Sequence, residues 1–259
     1  MILAQIVGIV HLFIGFGTYF CPFPTYLCTA QQKSIVMKVF SFFLRYWAAI
    51  GGLIFVGLAF LVGIQGHQIP TLQRYMILMY MALLFHQFEE YVYPGGFPAA
   101  ANIGLFGEKK DYRKYPLNEL SAFIVNVVLA YPLYIAGIFF HECLWLDIYI
   151  AYFTMAQVFM HCIKLNLSFK SWYSPGCLSA LFVMLPLGII FLVYLAGNYT
   201  FPTYCWWAPA IASPFMAVLM ILLPILTFRK RDTPYGFARY QADDFEVRHG
   251  IATLFRKDK

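Results

Sequence analysis

The chain of 259 residues is too apolar to be a soluble domain. Hydrophobic residues make up 61% of it and charged residues only 12%, whereas a typical soluble domain carries about 25% charge. A water-soluble fold of this size could not hide so much apolar surface from solvent. The net charge of +6 comes from basic residues placed between apolar stretches, which is typical of membrane proteins and gives no reason to expect a nucleic-acid partner.

Seven apolar stretches approach the roughly 20 residues that a helix needs to cross a bilayer. They are residues 2–20, 43–64, 73–93, 117–139, 145–166, 177–197 and 206–228. The first lacks the basic start and the small-residue cleavage site of a signal peptide, so we expect it to be a retained span. The sequence therefore predicts an all-α, polytopic transmembrane helix bundle of about seven spans over residues 1–228, followed by a basic tail over residues 229–259.

The basic residues between these stretches predict how the bundle is oriented. Of the 18 Lys and Arg residues, 17 fall in alternate connections or in the tail, and Arg74 alone falls on the other side. Cytoplasmic loops of membrane proteins are enriched in Lys and Arg. We expect the N-terminus outside and the tail in the cytoplasm or the mitochondrial matrix, where its basic residues can contact anionic lipid. Both an endomembrane and the mitochondrial inner membrane agree with this orientation.

The most polar group inside an apolar stretch is the run His86-Gln-Phe-Glu89-Glu90, at the end of the third stretch. Each ionised side chain in a membrane costs roughly 2.5–3.5 kcal/mol on insertion scales, so three such residues together indicate a function. On a helix His86 reaches Glu89 three residues on and Glu90 four residues on, which places all three on one face. This face predicts half of a metal site or of a proton-handling site.

Other polar residues fall at the same end of the predicted bundle. The fourth stretch begins there with Asn118 and Glu119, and the fifth carries His161 in the half nearest to that end. The segment from Tyr173 to Gly176 follows and opens the sixth stretch. Separate helices thus bring two histidines, three carboxylates and an asparagine to one leaflet, and we expect these side chains to converge.

This ordered set of residues resembles the HXXEE family of integral membrane proteins. The residues that carry the resemblance are His86, Glu89, Glu90, His161, Tyr173, Pro175 and Gly176. The resemblance covers roughly residues 77–190, and it implies that these residues form a site without implying a particular reaction. Glu119 lies outside the motif and joins the set only because of its expected depth and side.

Two imidazoles with neighbouring carboxylates are a donor set for Zn²⁺, or for Fe or Mn if oxygen ligands dominate. We expect the metal ligands to be His86, Glu90 and His161, and the catalytic residues to be Glu89 as general base, Glu119 and Tyr173. Without a cation, one of the two neighbouring glutamates should keep its proton. A dinuclear site is the alternative, although the spans lack the second repeat that dinuclear helix bundles use.

Each of these residues also has a structural alternative. The polar cluster around His86 could lock the third helix to the fourth, or reach lipid headgroups. Asn118 and Glu119 could simply begin a helix, where a carboxylate suits the helix dipole. In the segment that opens the sixth stretch, Ser174 is typical of an N-cap and Pro175 of the first helical position.

The pattern favours a metal-dependent intramembrane enzyme that hydrolyses a lipid or another amphiphile. A site at the headgroup depth of one leaflet suits such a substrate better than a polar metabolite. One alternative is an accessory subunit of a membrane complex, for example a respiratory one, in which the polar cluster joins helices. Another is a proton-coupled transporter. Helix breaks at Pro132 and Pro186 would permit this function, but no inverted repeat supports it.

Overall fold

The computed structural model describes residues 30–242, and every regular element in that range is helical. The helices are α1 (Ala30–Gln65), α2 (Thr71–Tyr91), α3 (Phe97–Ala100), α4 (Glu119–Phe139), α5 (Leu144–Phe169), α6 (Cys177–Asn198) and α7 (Tyr204–Thr227). Five-residue or seven-residue π-helical segments lie at Ala101–Leu105, Ile124–Ala130, Phe159–Leu165, Ala180–Met184 and Val218–Leu222. A short 3-10 turn, Gly66–Gln68, follows α1. The prediction of an all-α protein is confirmed for these residues.

Five of the helices are long and apolar enough to cross a membrane. They are α4, α5, α6, α7 and the segment Ile35–Gln68, which contains most of α1. Helix α2 coincides with the third predicted span but is less apolar than the others, because it carries Arg74, His86 and two glutamates. The five apolar helices support an integral membrane protein. The predicted span 2–20 lies outside the described residues, so the count of seven spans stays a prediction.

The chain divides into two units, residues 1–47 and 48–259, and all the candidate site residues belong to the second. Within that unit, neighbouring helices run antiparallel. Gln73 near the start of α2 donates to the carbonyl of Ile138 near the end of α4, and Gln87 near the end of α2 donates to Asn126 near the start of α4. The ends of α2 and α5 and the beginnings of α4 and α6 therefore lie together, and we call this the site end of the unit.

Helix α2 occupies the middle of the second unit. It packs against α4, α5 and α6, and most of its side chains are buried. The fully buried side chains of α2 and of the helices around it include Met76, Met79, Leu84, Ile148, Ile150, Met184, Phe191 and Leu195. A transmembrane helix surrounded by other helices instead of lipid can carry polar residues, since they face protein groups. This central position explains why the least apolar helix is the one that holds the His86 motif.

The first part of the tail packs on the site end. After α7 ends at Thr227, the backbone carbonyl of Tyr235 accepts from the amide of Glu119 at 2.9 Å, and the amide of Phe237 donates to the carbonyl of Arg113 at 2.8 Å. Residues beyond 242 lie outside the described part, so the predicted contact of the basic tail with anionic lipid stays a prediction.

Candidate metal centre

Three of the predicted site residues meet in the interior of the unit. His86 and Glu90 lie one helical turn apart near the end of α2, and His161 lies in the π-helical segment Phe159–Leu165 of α5. The three side chains are buried, with His86 at 2%, Glu90 at 5% and His161 at 1% relative exposure. Segments of π-helix frequently mark functional sites. We call these three residues the His–Glu–His cluster.

One donor atom from each residue of the cluster lies within 4.8 Å of the other two. The Nε2 atom of His161 is 3.3 Å from Oε1 of Glu90, and the Nε2 atom of His86 is 3.7 Å from the same oxygen. The two imidazole rings are nearly perpendicular, with centroids 4.6 Å apart. For tetrahedral Zn²⁺ with bonds of about 2.0–2.2 Å, ligand atoms lie about 3.3–3.6 Å from one another. The two distances to Glu90 therefore lie at or close to this spacing.

The hydrogen bond of His161 fixes which ring nitrogen faces the cluster. Its Nδ1 atom lies 2.7 Å from the carbonyl oxygen of Pro175. A carbonyl oxygen only accepts hydrogen bonds, so Nδ1 carries a hydrogen and, in a neutral ring, Nε2 presents a lone pair to Glu90. Metal-binding histidines usually make such a second hydrogen bond, which orients the ring.

The same reasoning applies to His86. Its Nδ1 atom lies 2.8 Å from the hydroxyl oxygen of Ser179, and that hydroxyl donates to the carbonyl of Gly176. When the hydroxyl hydrogen is used in that bond, the serine oxygen accepts from Nδ1, and Nε2 of a neutral His86 ring keeps its lone pair. This Nε2 atom is buried and has no hydrogen-bond partner among the described residues. A buried polar atom without a partner costs about 1–3 kcal/mol.

A proton cannot satisfy all three acceptors. One proton between His161 and Glu90 pairs those two groups, whether it is bound to the imidazole or to the carboxyl, but it leaves Nε2 of His86 without a partner. A divalent cation between the three atoms accepts an electron pair from each of them and also removes the conflict between Glu90 and its neighbour Glu89. The residues present therefore fit a bound metal ion.

Gly176 forms one wall of the cluster. Its backbone is left-handed, with φ at +91°, and a side chain there would meet Nδ1 of His161 at 2.6 Å and Cε1 of His86 at 2.8 Å. Only glycine combines this backbone conformation with such a close approach. The glycine of the motif therefore lets both imidazoles approach the backbone at the start of α6.

The predicted roles of Ser174 and Pro175 as N-cap and first residue of the sixth span are wrong. Helix α6 begins at Cys177, with Gly176 in the capping position. The hydroxyl of Ser174 instead donates to the carbonyl of His161 at 2.7 Å, and the carbonyl of Pro175 accepts from the same residue. Both residues hold His161, and the helix begins two residues later than predicted.

Glu89 points away from Nε2 of the histidines and binds the start of α6. Its carboxylate accepts hydrogen bonds from the amides of Leu178 and Ser179, at 3.2 and 2.8 Å, and from the hydroxyl of Tyr173 at 3.1 Å. The first amides of a helix lack partners within the helix and attract negative charge. Glu89 therefore fixes α6 against α2 and places Ser179 beside His86. The general-base role of Glu89 and the catalytic role of Tyr173 stay predictions.

Asn118 and Glu119 lie at the start of α4. Asn118 is the N-cap: its side chain accepts from the amide of Ser121 at 3.1 Å and donates to the carbonyl of Phe228 at 3.0 Å. The structural alternative for Asn118, the start of a helix, is what the structure shows. Glu119 is buried at the first helical position, and its catalytic role stays a prediction.

Sequence reasoning missed Ser179 and the carbonyl of Pro175, which hold the two imidazoles. Ser179 is a polar residue inside an apolar span, three positions after Gly176, and this could have indicated it. The role of a backbone carbonyl has no signal in the sequence.

Comparison with known proteins agrees with the motif. Residues 76–191 match a family model described as "Protein of unknown function with HXXEE motif". No curated protein and no solved structure matches the chain. The matched segment contains the whole His–Glu–His cluster and the loop from Tyr173 to Gly176. This match confirms, over residues 76–191, the resemblance to the HXXEE-motif family that the ordered residues indicated.

Proposed function

We propose that the protein is a metal-dependent intramembrane enzyme. The observation that carries this proposal is the partnerless Nε2 of His86, which faces the same oxygen of Glu90 as His161 does. These three residues would hold one divalent ion. Zn²⁺ suits two imidazoles and a carboxylate best, and Fe or Mn are alternatives. Three protein ligands leave a further coordination position, as in catalytic zinc sites.

The proposed reaction is hydrolysis. His86, Glu90 and His161 would hold the ion, which when bound would supply Lewis-acid chemistry for hydrolysis. Glu89 is the carboxylate next in sequence to the ligand Glu90, and we propose it as the general base. The amides of Leu178 and Ser179 and the hydroxyl of Tyr173 donate to Glu89 and stabilise its negative charge before it accepts a proton. Of these three donors, only the hydroxyl of Tyr173 can rotate. Tyr173 can then turn its hydroxyl from Glu89 to the substrate.

The proposed substrate is a lipid or another amphiphile. Phe159 and Ile163, which flank His161 on α5, are exposed at 61% and 45%, and Leu178 and Phe182 on α6 are exposed at 53% and 68%. Exposed apolar side chains of this density are typical of a surface that faces lipid. The cluster is therefore separated from the proposed bilayer by the thickness of a single helix, and we propose that substrate enters between α5 and α6.

The proposed orientation places the site end in the inner leaflet. It rests on the sequence, in which 17 of the 18 Lys and Arg residues fall in alternate connections between the predicted spans or in the tail. In this orientation the N-terminus faces outward and the tail faces the cytoplasm or the matrix, in an endomembrane or the mitochondrial inner membrane.

An accessory subunit of a membrane complex is the second candidate function. It is favoured by the way the polar groups connect α2, α5 and α6, since every residue of the cluster is buried and joins one helix to another. Polar contacts between transmembrane helices contribute about 0.6 kcal/mol on average and up to about 1.7. Under this interpretation the cluster only stabilises the fold. The proton-coupled transporter stays a prediction.

Metal content separates these functions. The full-length protein, purified in detergent without chelator, should carry about one ion per chain by inductively coupled plasma mass spectrometry. His86→Ala and His161→Ala should each lose it and stay folded. His67→Ala, a change at an exposed histidine after α1, is the matched control and should keep the ion. A wild type without metal, combined with variants that are merely less stable, would favour the subunit.

Hydrolysis is tested separately in lipid nanodiscs. Wild type and His67→Ala should convert an added mixture of ester and phosphodiester lipids into products that mass spectrometry detects, and His161→Ala should not. Equal product from His161→Ala and wild type would exclude the proposed site as the source of activity.

A further inference from the structure

Two cysteines far apart in the sequence meet beside the cluster. The sulfur atoms of Cys162 on α5 and Cys177 on α6 are 2.9 Å apart, closer than two sulfurs in van der Waals contact. Cys162 also lies 3.3 Å from the carbonyl of Cys177, and both are free thiols. The sequence contains no Cys-x-x-Cys motif, so only the fold reveals this pair.

We propose that Cys162 and Cys177 are a redox-active dithiol that is reversibly oxidised to a disulfide. Their sulfurs must approach by roughly another 0.9 Å to reach the bond length of about 2.05 Å. Cys162 is partly exposed, whereas Cys177 is 4% exposed. A partly accessible thiol with a second, resolving thiol beside it is a common arrangement in redox-sensitive proteins.

The oxidant is a low-molecular-weight disulfide, which reacts by thiol–disulfide exchange. The sulfur of Cys162 attacks one sulfur of the reagent, forming a mixed disulfide and releasing one thiol. The sulfur of Cys177 then attacks Cys162, forming the bond between them and releasing the second thiol. The two protons of the cysteines leave on the two released thiols, and the two electrons lost by the protein reduce the reagent.

The position of the pair gives this bond a structural consequence. Cys162 directly follows His161, and Cys177 directly follows Gly176, whose backbone contacts both imidazoles. The disulfide would therefore tie the π-helical segment of α5 to the first residue of α6 and close the loop between them. In a reducing compartment the pair rests as thiols, because stable disulfides are rare there and those that form are mostly transient.

Peptide mapping of the full-length protein tests this proposal without reference to metal or activity. Detergent-solubilised protein is treated with glutathione disulfide or with dithiothreitol, alkylated with N-ethylmaleimide, digested and analysed by mass spectrometry. After oxidation, the peptides of Cys162 and Cys177 should appear as one cross-linked species, and after reduction both should be alkylated.

Four variants complete the test. Cys162→Ser and Cys177→Ser should abolish the cross-link, and Cys177→Ser should trap glutathione on Cys162. Cys143→Ser and Cys205→Ser, at two other free thiols, should leave the cross-link unchanged. Full alkylation of both Cys162 and Cys177 after oxidation of the wild type, or separate glutathione adducts on the two, would overturn the proposal.

Discussion

Two regions of the molecule bring carboxylates and nitrogen groups together, one exposed and one buried. In the exposed region, which we call the Arg231 clamp, Arg231 donates to Glu108 at 2.6 Å and to Asp111 at 2.8 Å, and its guanidinium lies over the ring of Tyr115. Both carboxylates there meet a donor with a fixed positive charge. The clamp is complete without any other molecule, and it joins the tail to the loop before α4.

In the buried region, the His–Glu–His cluster, acceptors meet acceptors. Two Nε2 lone pairs face one oxygen of Glu90, and that of His86 has no partner. Exposed ion pairs such as the clamp contribute little to stability, whereas an unsatisfied buried atom is costly. The difference teaches that the clamp is sufficient as structure, while the cluster has the donor atoms that could hold a cation. Each prediction below changes one of the two regions.

The largest effect is expected from Gly176→Ala. The new side chain would meet both imidazoles within 2.8 Å. Such overpacking destabilises the fold by about 1–3 kcal/mol, and a left-handed backbone at a residue with a side chain costs about 1–2 kcal/mol more. Thermal unfolding in detergent should show a marked loss of stability together with loss of metal. Gly107→Ala is the control: its φ is +69°, but no atom lies within 4 Å of the added carbon. Equal losses in both variants would show that the close approach at Gly176 is unimportant.

A smaller effect is expected from Glu89→Gln. The change removes the negative charge that accepts from two helix amides and from Tyr173, and a hydrogen bond to a charged group contributes about 1.5–3 kcal/mol. Chemical denaturation should show a loss in this range, with metal content unchanged. Tyr173→Phe removes one donor only and should cost less. Loss of metal from Glu89→Gln at unchanged stability would instead make Glu89 a ligand.

The smallest effect is expected at the clamp. Hydrogen bonding from the amide of Asp111, and then from Arg231, lowers the pKa of Glu108. A carboxyl whose folded pKa is lowered contributes stability above its unfolded pKa and loses that contribution as pH falls through the folded value. Arg231→Ala should therefore melt slightly below wild type at pH 7, and the difference should shrink below pH 4.5 and in high salt. Lys230→Ala is the exposed control, and a difference that persists at low pH would contradict this origin.

Most helices could be predicted from the sequence, because long apolar stretches have few alternatives in a membrane. The predicted spans 177–197 and 206–228 nearly coincide with Cys177–Asn198 and Tyr204–Thr227. The extent of α1 was missed: the predicted span begins at residue 43, but the described part of the helix already includes residue 30. Helical structure there extends past the apolar stretch into polar residues, and hydropathy alone does not report that.

The site could be predicted only in part. The spacing of His86, Glu89 and Glu90 on one helix follows from the sequence, and so does the end of the bundle at which His161 lies. The sequence does not predict that Glu89 binds the start of α6 while Glu90 faces His161. These contacts depend on where α6 begins and on the π-helical register of α5. The wrong assignment of Ser174 and Pro175 has the same cause, since local capping preferences gave way to tertiary contacts with His161.

Glu90→Gln tests the metal centre most directly. The glutamine has the same shape, and its amide can donate to Nε2 of His161, so it reproduces the contact that a shared proton would make. It cannot replace an anionic metal ligand. Metal content and melting temperature are measured together on wild type and Glu90→Gln. We expect about one ion per chain in the wild type, little in the variant, and a lower melting temperature after its loss. Absence of metal from both proteins, with equal melting temperatures, would contradict the metal centre and show that the cluster is held by a proton.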